Sequence, residues 1–170
     1  MKLLTLAALV AAVTLTGCDH AKPKTAAAPG QYAFDVTVKL SPKAEAAMKT
    51  SPDGFVVDAW YYGLAKPQSR DKADQLNRIF LGDESWNFSA NARKMHLHGE
   101  PIDATLLTQT VDGRPWVNLT VESVAGDPAN PLKCKPFIGP VSGAQQATPV
   151  LTCEFETEPY WETAATSPAG

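Results

Sequence analysis

The sequence predicts an all-β protein, an antiparallel β-sandwich of seven to eight strands with one short helix. Short runs in which apolar and polar residues alternate recur along the chain, and this period of two is typical of half-buried strands. Residues that favour turns separate the runs. Strands do not alternate with long helical patterns, as they do in α/β proteins.

The first half of the folded region predicts two strands around the helix. "YAFDVTVKL" alternates apolar and polar residues up to Leu40 and is expected to be the first strand. In "SPKAEAAMKT", Ser41 suits the cap of a helix and Pro42 its first turn. "FVVDAWYY" is rich in aromatic and branched residues, which favour a strand, and a long loop is expected over residues 63–75.

The second half predicts six further strands. "NRIFLGD" and "SWNFS" indicate two strands with a turn at residues 82–84, and "RKMHLHG" indicates another. "ATLLTQT" and "PWVNLTVESV" are expected to form a hairpin around Asp112 and Gly113. A loop is expected over "KCKPF" and "IGPVSGAQQATP", and "VLTCEFETE" is the final strand. This succession favours an immunoglobulin-like or transthyretin-like sandwich, with a small closed barrel as the alternative.

The amino terminus predicts export. Lys2 precedes an apolar run over residues 3–13, which is typical of a signal peptide and too short to span a membrane. The run leads into Leu15-Thr16-Gly17-Cys18, which resembles the lipobox of bacterial lipoproteins. The resemblance implies that the signal peptide, residues 1–17, is removed. It also implies that Cys18 carries diacylglycerol and that the new amino terminus is acylated with a palmitate-type chain.

The same resemblance implies a lipid-anchored protein on the periplasmic side of the cell envelope. Asp19 fits the signal that retains many Gram-negative lipoproteins at the inner membrane. Residues 18–30 are expected to be a flexible tether, residues 31–162 a single β-sandwich domain and residues 163–170 a disordered tail. With 170 residues and a net charge of −3, the chain suits one domain and has no basic run for nucleic acid.

Cys134 and Cys153 are expected to form a disulfide bond, because an even pair of cysteines in an exported chain meets an oxidising compartment. Cys153 alternates with the inward residues of the last strand, so the bond is expected to hold the preceding loop against the core. Two buried free thiols are the alternative. A redox-active pair would be expected at the closer spacing Cys-x-x-Cys.

His96 and His98 are candidate metal ligands. Residues two apart in a strand project from the same face, and imidazole suits zinc and copper. Further ligands would have to come from Glu100, Asp103 or a neighbouring strand. The alternative is two half-exposed histidines on the solvent side of a sheet.

Trp60, Tyr62 and Trp116 are candidates for a partner or ligand surface. If the alternating residues from Phe55 to Tyr61 face the core, Trp60 and Tyr62 face away from it, and the same logic applies to Trp116. Exposed aromatic patches mark surfaces for partners or ligands. The alternatives are that the loop at residues 63–77 covers these side chains, or that this face is the core.

The sequence predicts a non-catalytic binding or structural module of the cell envelope, with another envelope protein as partner and no cofactor. The motifs Gly-x-Ser-x-Gly and His-Glu-x-x-His and a phosphate-binding glycine loop are absent from the sequence, so an enzyme is not expected. One alternative is a periplasmic zinc or copper protein that uses His96 and His98. Another is recognition of a small ligand or glycan by the outer-face aromatic residues.

Overall fold

The fold is an all-β sandwich of two four-stranded sheets, as the sequence predicts. The computed structural model describes residues 30–50, 54–123 and 131–158. The described residues form eight strands: β1 (Phe34–Leu40), β2 (Phe55–Leu64), β3 (Arg78–Phe88), β4 (Lys94–Leu97), β5 (Trp116–Ser123), β6 (Leu132–Cys134), β7 (Phe137–Pro140) and β8 (Val150–Phe155). The first sheet has the order β4-β1-β8-β6, and the second has the order β3-β2-β5-β7.

Neighbouring strands are antiparallel except for β1 and β8, which pair in parallel at the centre of the first sheet. Residues 1–29 and 159–170 lie outside the described residues. The predicted signal peptide, Cys18, nearly all of the predicted tether and the predicted tail therefore fall there. Within the described ranges, no helix has the length and apolar character needed to cross a membrane.

The core lies between the sheets and is built from the residues that alternation places inward. In β1, Val36 and Val38 are buried while Asp35 and Lys39 are exposed. In β2, every second residue from Phe55 to Tyr61 is buried. Each buried branched or aromatic side chain stabilises the fold by about 1.5–3 kcal/mol, so this pattern fixes which face of each strand turns inward.

The helix predicted after β1 is α1 (Pro42–Thr50). The hydroxyl of Ser41 accepts a hydrogen bond from the backbone N–H of Ala44 at 3.1 Å, as expected of an amino-terminal cap. The same hydroxyl donates to the carboxylate of Glu158 at 2.7 Å. Glu158 also accepts from the backbone N–H of Phe155, so the cap connects α1 to the end of β8.

The two strands predicted around residues 82–84 are a single strand, β3. The register with β2 shifts between Tyr61 and Tyr62, opposite Gly82, whose φ is +147°. A side chain at this position would also collide with the backbone carbonyl of Pro101. Gly82 therefore marks an irregularity inside the strand, and the prediction of a turn was wrong.

The predicted hairpin around Asp112 and Gly113 is absent from the described residues. Its first arm contains a short helix, α2 (Ala104–Leu107), because Asp103 caps the backbone N–H groups of Thr105 and Leu106. Residues 111–113 form a 3-10 turn, and β5 pairs with β2 and β7 instead.

The loops predicted on either side of this region also contain regular structure. Residues 67–72 form a 3-10 helix. The region from "KCKPF" to "IGPVSGAQQATP" contains β6, β7 and a third helix, α3 (Val141–Gln146). These elements have three to six residues each, which is too short for a period to be recognised in the sequence.

Cys134 and Cys153 lie directly opposite each other in the antiparallel pair β6–β8, with their sulfur atoms at bonding distance. Cys153 is fully buried, as its alternation predicts. The pair therefore joins two neighbouring strands of the first sheet. The prediction that it holds a loop against the core was wrong, because Cys134 belongs to a strand.

Candidate functional site

Four aromatic side chains lie side by side on the outer face of the second sheet and are called here the aromatic surface. Its members are Trp60, Tyr62, Phe80 and Trp116. Tyr62 lies opposite Phe80 of β3 on one side and opposite Trp116 of β5 on the other. The ring centroids are 5.2 Å apart for Trp60 and Tyr62, 5.7 Å for Trp60 and Phe80, and 6.3 Å for Tyr62 and Trp116. The structure thus brings the three aromatic residues singled out in the sequence together and adds Phe80.

Arg78 covers one end of the aromatic surface. Its guanidinium carbon lies 4.7 Å from the ring centroid of Trp60 and 5.4 Å from that of Tyr62, within cation–π range. Asp74 holds the guanidinium with contacts of 2.8 Å from both Nε and a terminal nitrogen. The hydrogen bonds from Arg78 hold the pKa of the Asp74 carboxyl below its usual range.

The members of the aromatic surface differ in their access to solvent. Tyr62 lies between its neighbours and is only 7% exposed, whereas Phe80 is 39% exposed. Trp60 and Trp116 are half-buried. On β7, Ile138 lies opposite Asn118 on the same face and is 59% exposed. A mostly apolar surface therefore extends from β3, at one edge of the second sheet, to β7 at the other.

Asn118 places a polar group next to the aromatic surface, opposite Trp60 on the neighbouring strand. Its side-chain oxygen Oδ1 is buried and has no hydrogen-bond partner among the described residues. A buried acceptor without a partner costs about 1–3 kcal/mol.

His96 and His98 lie on the same exposed side of the chain at β4, with ring centroids 5.4 Å apart. Nδ1 of His96 lies 2.8 Å from a carboxylate oxygen of Asp35 on β1. Among the described residues, no group of three or more His, Cys, Asp and Glu side chains is placed to hold a metal ion. Of the two acids expected as further ligands, Asp103 caps α2, and Glu100 lines a surface depression together with His98.

Glu84 is a buried carboxylate whose hydrogen bonds were not predicted from the sequence. It lies on β3, is 8% exposed, and accepts a hydrogen bond from the hydroxyl of Tyr61. It also accepts from Nε1 of Trp86 at 2.8 Å and from the backbone N–H groups of His98 at 3.1 Å and Gly99 at 2.9 Å. The carboxylate therefore connects β3, an edge strand of the second sheet, to the segment that follows β4, an edge strand of the first sheet.

These contacts decide the protonation states of Glu84 and Tyr61. Burial by itself would raise the pKa of the Glu84 carboxyl, but the hydrogen bonds from Tyr61, Trp86, Gly99 and His98 outweigh burial and hold the pKa below its ordinary value. Burial and the hydrogen bond to Glu84 raise the pKa of Tyr61. At neutral pH the pair is thus a carboxylate and a neutral phenol.

A depression of about 240 Å³ opens beside Glu84 at the edge of the sandwich. It is lined by Glu84, Trp86, His98, Glu100 and Pro101. The ring centroids of Trp86 and His98 are 5.1 Å apart, and Trp86 is 41% exposed. We call this site the edge depression.

Sequence patterns pointed to His98 and Glu100 as metal ligands, but not to the edge depression that these residues line. Alternation from Ile79 and Leu81 would place Asp83 inward, but the irregularity at Gly82 turns Glu84 inward instead.

Comparison with protein-family models, curated proteins and solved structures gives no match for this chain.

Proposed function

We propose that this chain is a lipoprotein anchored through Cys18 on the periplasmic side of a bacterial cell envelope, with a sandwich that binds another envelope protein and catalyses no reaction. The aromatic surface is the observation that carries the binding part of the proposal. Trp, Tyr and Arg are the residues most enriched among those that dominate the free energy of protein–protein binding.

The arrangement of the aromatic surface supports a preorganised contact. Its rings pack on one another, and Asp74 fixes Arg78 over two of them. Side chains held in this way lose little conformational entropy when a partner binds. The position on paired strands adds rigidity that a loop would not provide.

The anchoring part of the proposal has separate support. The lipobox-like sequence that ends at Cys18 supports lipid attachment and hence the membrane as a partner. The pairing of Cys134 with Cys153 supports an oxidising compartment such as the periplasm. The position of Asp19 favours the inner membrane.

Site-specific photo-crosslinking in cells tests the binding proposal. A benzoylphenylalanine replaces Ile138 beside the aromatic surface or, as the matched control, Val150 of β8 in the first sheet, which is 56% exposed. We expect a defined protein adduct from position 138 that Phe80→Asp removes. Adducts of equal yield from both positions, or adducts unaffected by Phe80→Asp, would contradict the proposal. Quenching of tryptophan fluorescence by cell-wall fragments would instead support glycan recognition.

Mass spectrometry of the amino-terminal peptide tests the anchor. We expect a peptide that begins at Cys18 and carries the mass of diacylglycerol and an acyl chain. We also expect Cys18→Ser to move the protein from the membrane fraction to the soluble fraction. An unmodified Cys18 thiol would contradict this part of the proposal and leave the binding part standing.

Metal binding is a second candidate function, because the rings of His96 and His98 are neighbours on one exposed side. Calorimetric titration with zinc and copper tests it against the double variant His96→Ala, His98→Ala. Micromolar or tighter binding that the variant loses would support a metal site. No heat above background would remove the candidate.

A further inference from the structure

We propose that the edge depression binds an alkylammonium group, from a free amine or from a lysine side chain. The inference goes beyond the proposed function, because the depression and the aromatic surface share no residue. It depends on three properties of the lining: its charge, its aromatic wall and the occupied lone pairs of its buried carboxylate.

The charge of the lining is negative. Glu84 and Glu100 supply two carboxylates, and the described lining residues include no lysine or arginine. The donors to Glu84 among the described residues are a phenol, an indole and two backbone amides, all of them uncharged. They fix the carboxylate in place without supplying a positive charge to it. A partly buried charge is screened less than a surface charge, so a cation entering the depression is attracted strongly.

Trp86 gives the depression an aromatic wall. Its Nε1–H donates a hydrogen bond to Glu84, and this contact fixes the position of the indole beside the carboxylate. Indole is the side chain that attracts cations best through its ring. Trp86 and Pro101 also offer apolar surface to the carbon chain that carries the ammonium. A volume of about 240 Å³ lies below the roughly 300–1,000 Å³ of sites for drug-sized ligands, so the ligand is small.

An organic cation suits this lining better than a metal ion. A carboxylate has about four lone-pair sites, and Glu84 uses them for four donors. It therefore acts on a ligand through its charge and is not free to coordinate. His98 and Glu100 remain, and two ligands are fewer than the three or four that zinc takes from a protein. An alkylammonium needs only nearby negative charge, an aromatic wall and one or two accessible hydrogen-bond acceptors.

The test is a titration of the ¹⁵N-labelled full chain with butylammonium chloride at neutral pH, followed through the Nε1–H resonance of Trp86. Trp86→Phe assigns that resonance, and n-butanol is the uncharged analogue. We expect saturable shifts with butylammonium and none with butanol. Glu100 is exposed, so Glu100→Gln should weaken binding by about 1.5- to 5-fold, as for other exposed ion pairs. Glu122→Gln, on the outer face of β5, should leave binding unchanged.

Several results would overturn the inference. Equal shifts with butanol would mean that charge is not recognised, and the absence of any saturable shift would mean that no site exists. Zinc chloride that binds the same residues more tightly than butylammonium would point to a metal site. Acetyl-Gly-Lys-Gly-amide separates the two sources of the ammonium. Binding at least as tight as that of butylammonium supports a lysine of a partner, and weaker binding supports a free amine.

Discussion

The hydroxyl of Tyr61 donates a hydrogen bond to the carboxylate of Glu84 in the interior of the sandwich, where both side chains are almost fully buried. Tyr61 lies on β2 and Glu84 on the neighbouring edge strand β3. The same carboxylate accepts from the backbone of His98 and Gly99, which follow the edge strand β4 of the other sheet. One carboxylate thus links both sheets at their open edge.

Removal of the Tyr61 hydroxyl should destabilise the protein. Because the acceptor is a buried carboxylate, we expect Tyr61→Phe to lower the free energy of unfolding by about 1.5–3 kcal/mol. Urea unfolding followed by circular dichroism measures the change. Tyr62→Phe is the control, since the ring of Tyr62 packs on the outer face, and a much smaller loss is expected. Equal losses in the two variants would show that the contact with Glu84 adds no special stability.

Glu84 should make stability depend on acid pH. Its pKa in the folded protein lies below its ordinary value, so its contribution is fully present above the unfolded pKa and is lost as pH falls through the folded pKa. We expect Glu84→Gln to cost about 2 kcal/mol at neutral pH and less in acid. Unfolding free energies of both proteins across the acid range measure this. A constant difference between them would contradict the assignment.

Gly82 should tolerate no side chain. Its φ of +147° is a conformation that other residues rarely adopt, and a Cβ would meet the carbonyl of Pro101. We expect Gly82→Ala to lower the unfolding free energy by about 1–3 kcal/mol or more. Gly113→Ala is the matched control, because Gly113 also has a positive φ but has open space around its Cβ position. Thermal unfolding of both variants tests this, and a milder effect at position 82 would refute the steric argument.

Reduction of the cysteine pair should lower stability. The two residues are 19 positions apart, and closing such a loop stabilises a fold by about 3 kcal/mol in the chain-entropy model. We expect a reductant to lower the melting temperature of the unmodified protein. The double variant Cys134→Ser, Cys153→Ser should melt at the lower temperature with or without reductant. An unmodified protein insensitive to reductant would indicate that the bond contributes little.

Much of the fold follows from patterns that span one strand. The alternation in β1 and β2 predicted both strands and their inward faces, and Ser41 predicted the start of α1. Predictions from local residues were wrong where contacts with distant parts of the chain determine the structure. Gly82 resembles a turn, yet it lies inside β3 because the strand pairs with β2 on both sides of it. Asp112 and Gly113 resemble a hairpin, yet the partners of β5 come from distant parts of the chain.

The candidate sites likewise divide into features of one strand, which the sequence predicts, and features that need several strands to meet. The shared outer face of Trp60 and Tyr62 is a property of one strand, so the sequence was sufficient to pair them. Phe80 joins them only through the register between β2 and β3. The edge depression needs β3, β4 and the segment after β4 to meet, and the irregularity at Gly82 decides that Glu84 faces inward. No period in the sequence carries that information.

The parallel pairing of β1 with β8 limits the order in which the molecule can fold. Thr37 lies beside Val150 in this pair, so the centre of the first sheet joins segments from opposite ends of the described residues. Contacts this distant in sequence slow folding, because a long loop must close before they form. A chain emerging from a ribosome therefore holds β1 without its central neighbour β8 until residues 150–155 have been made. Truncation before β8 would leave β1 paired with β4 alone, so the first sheet can be completed only after β8 has been made.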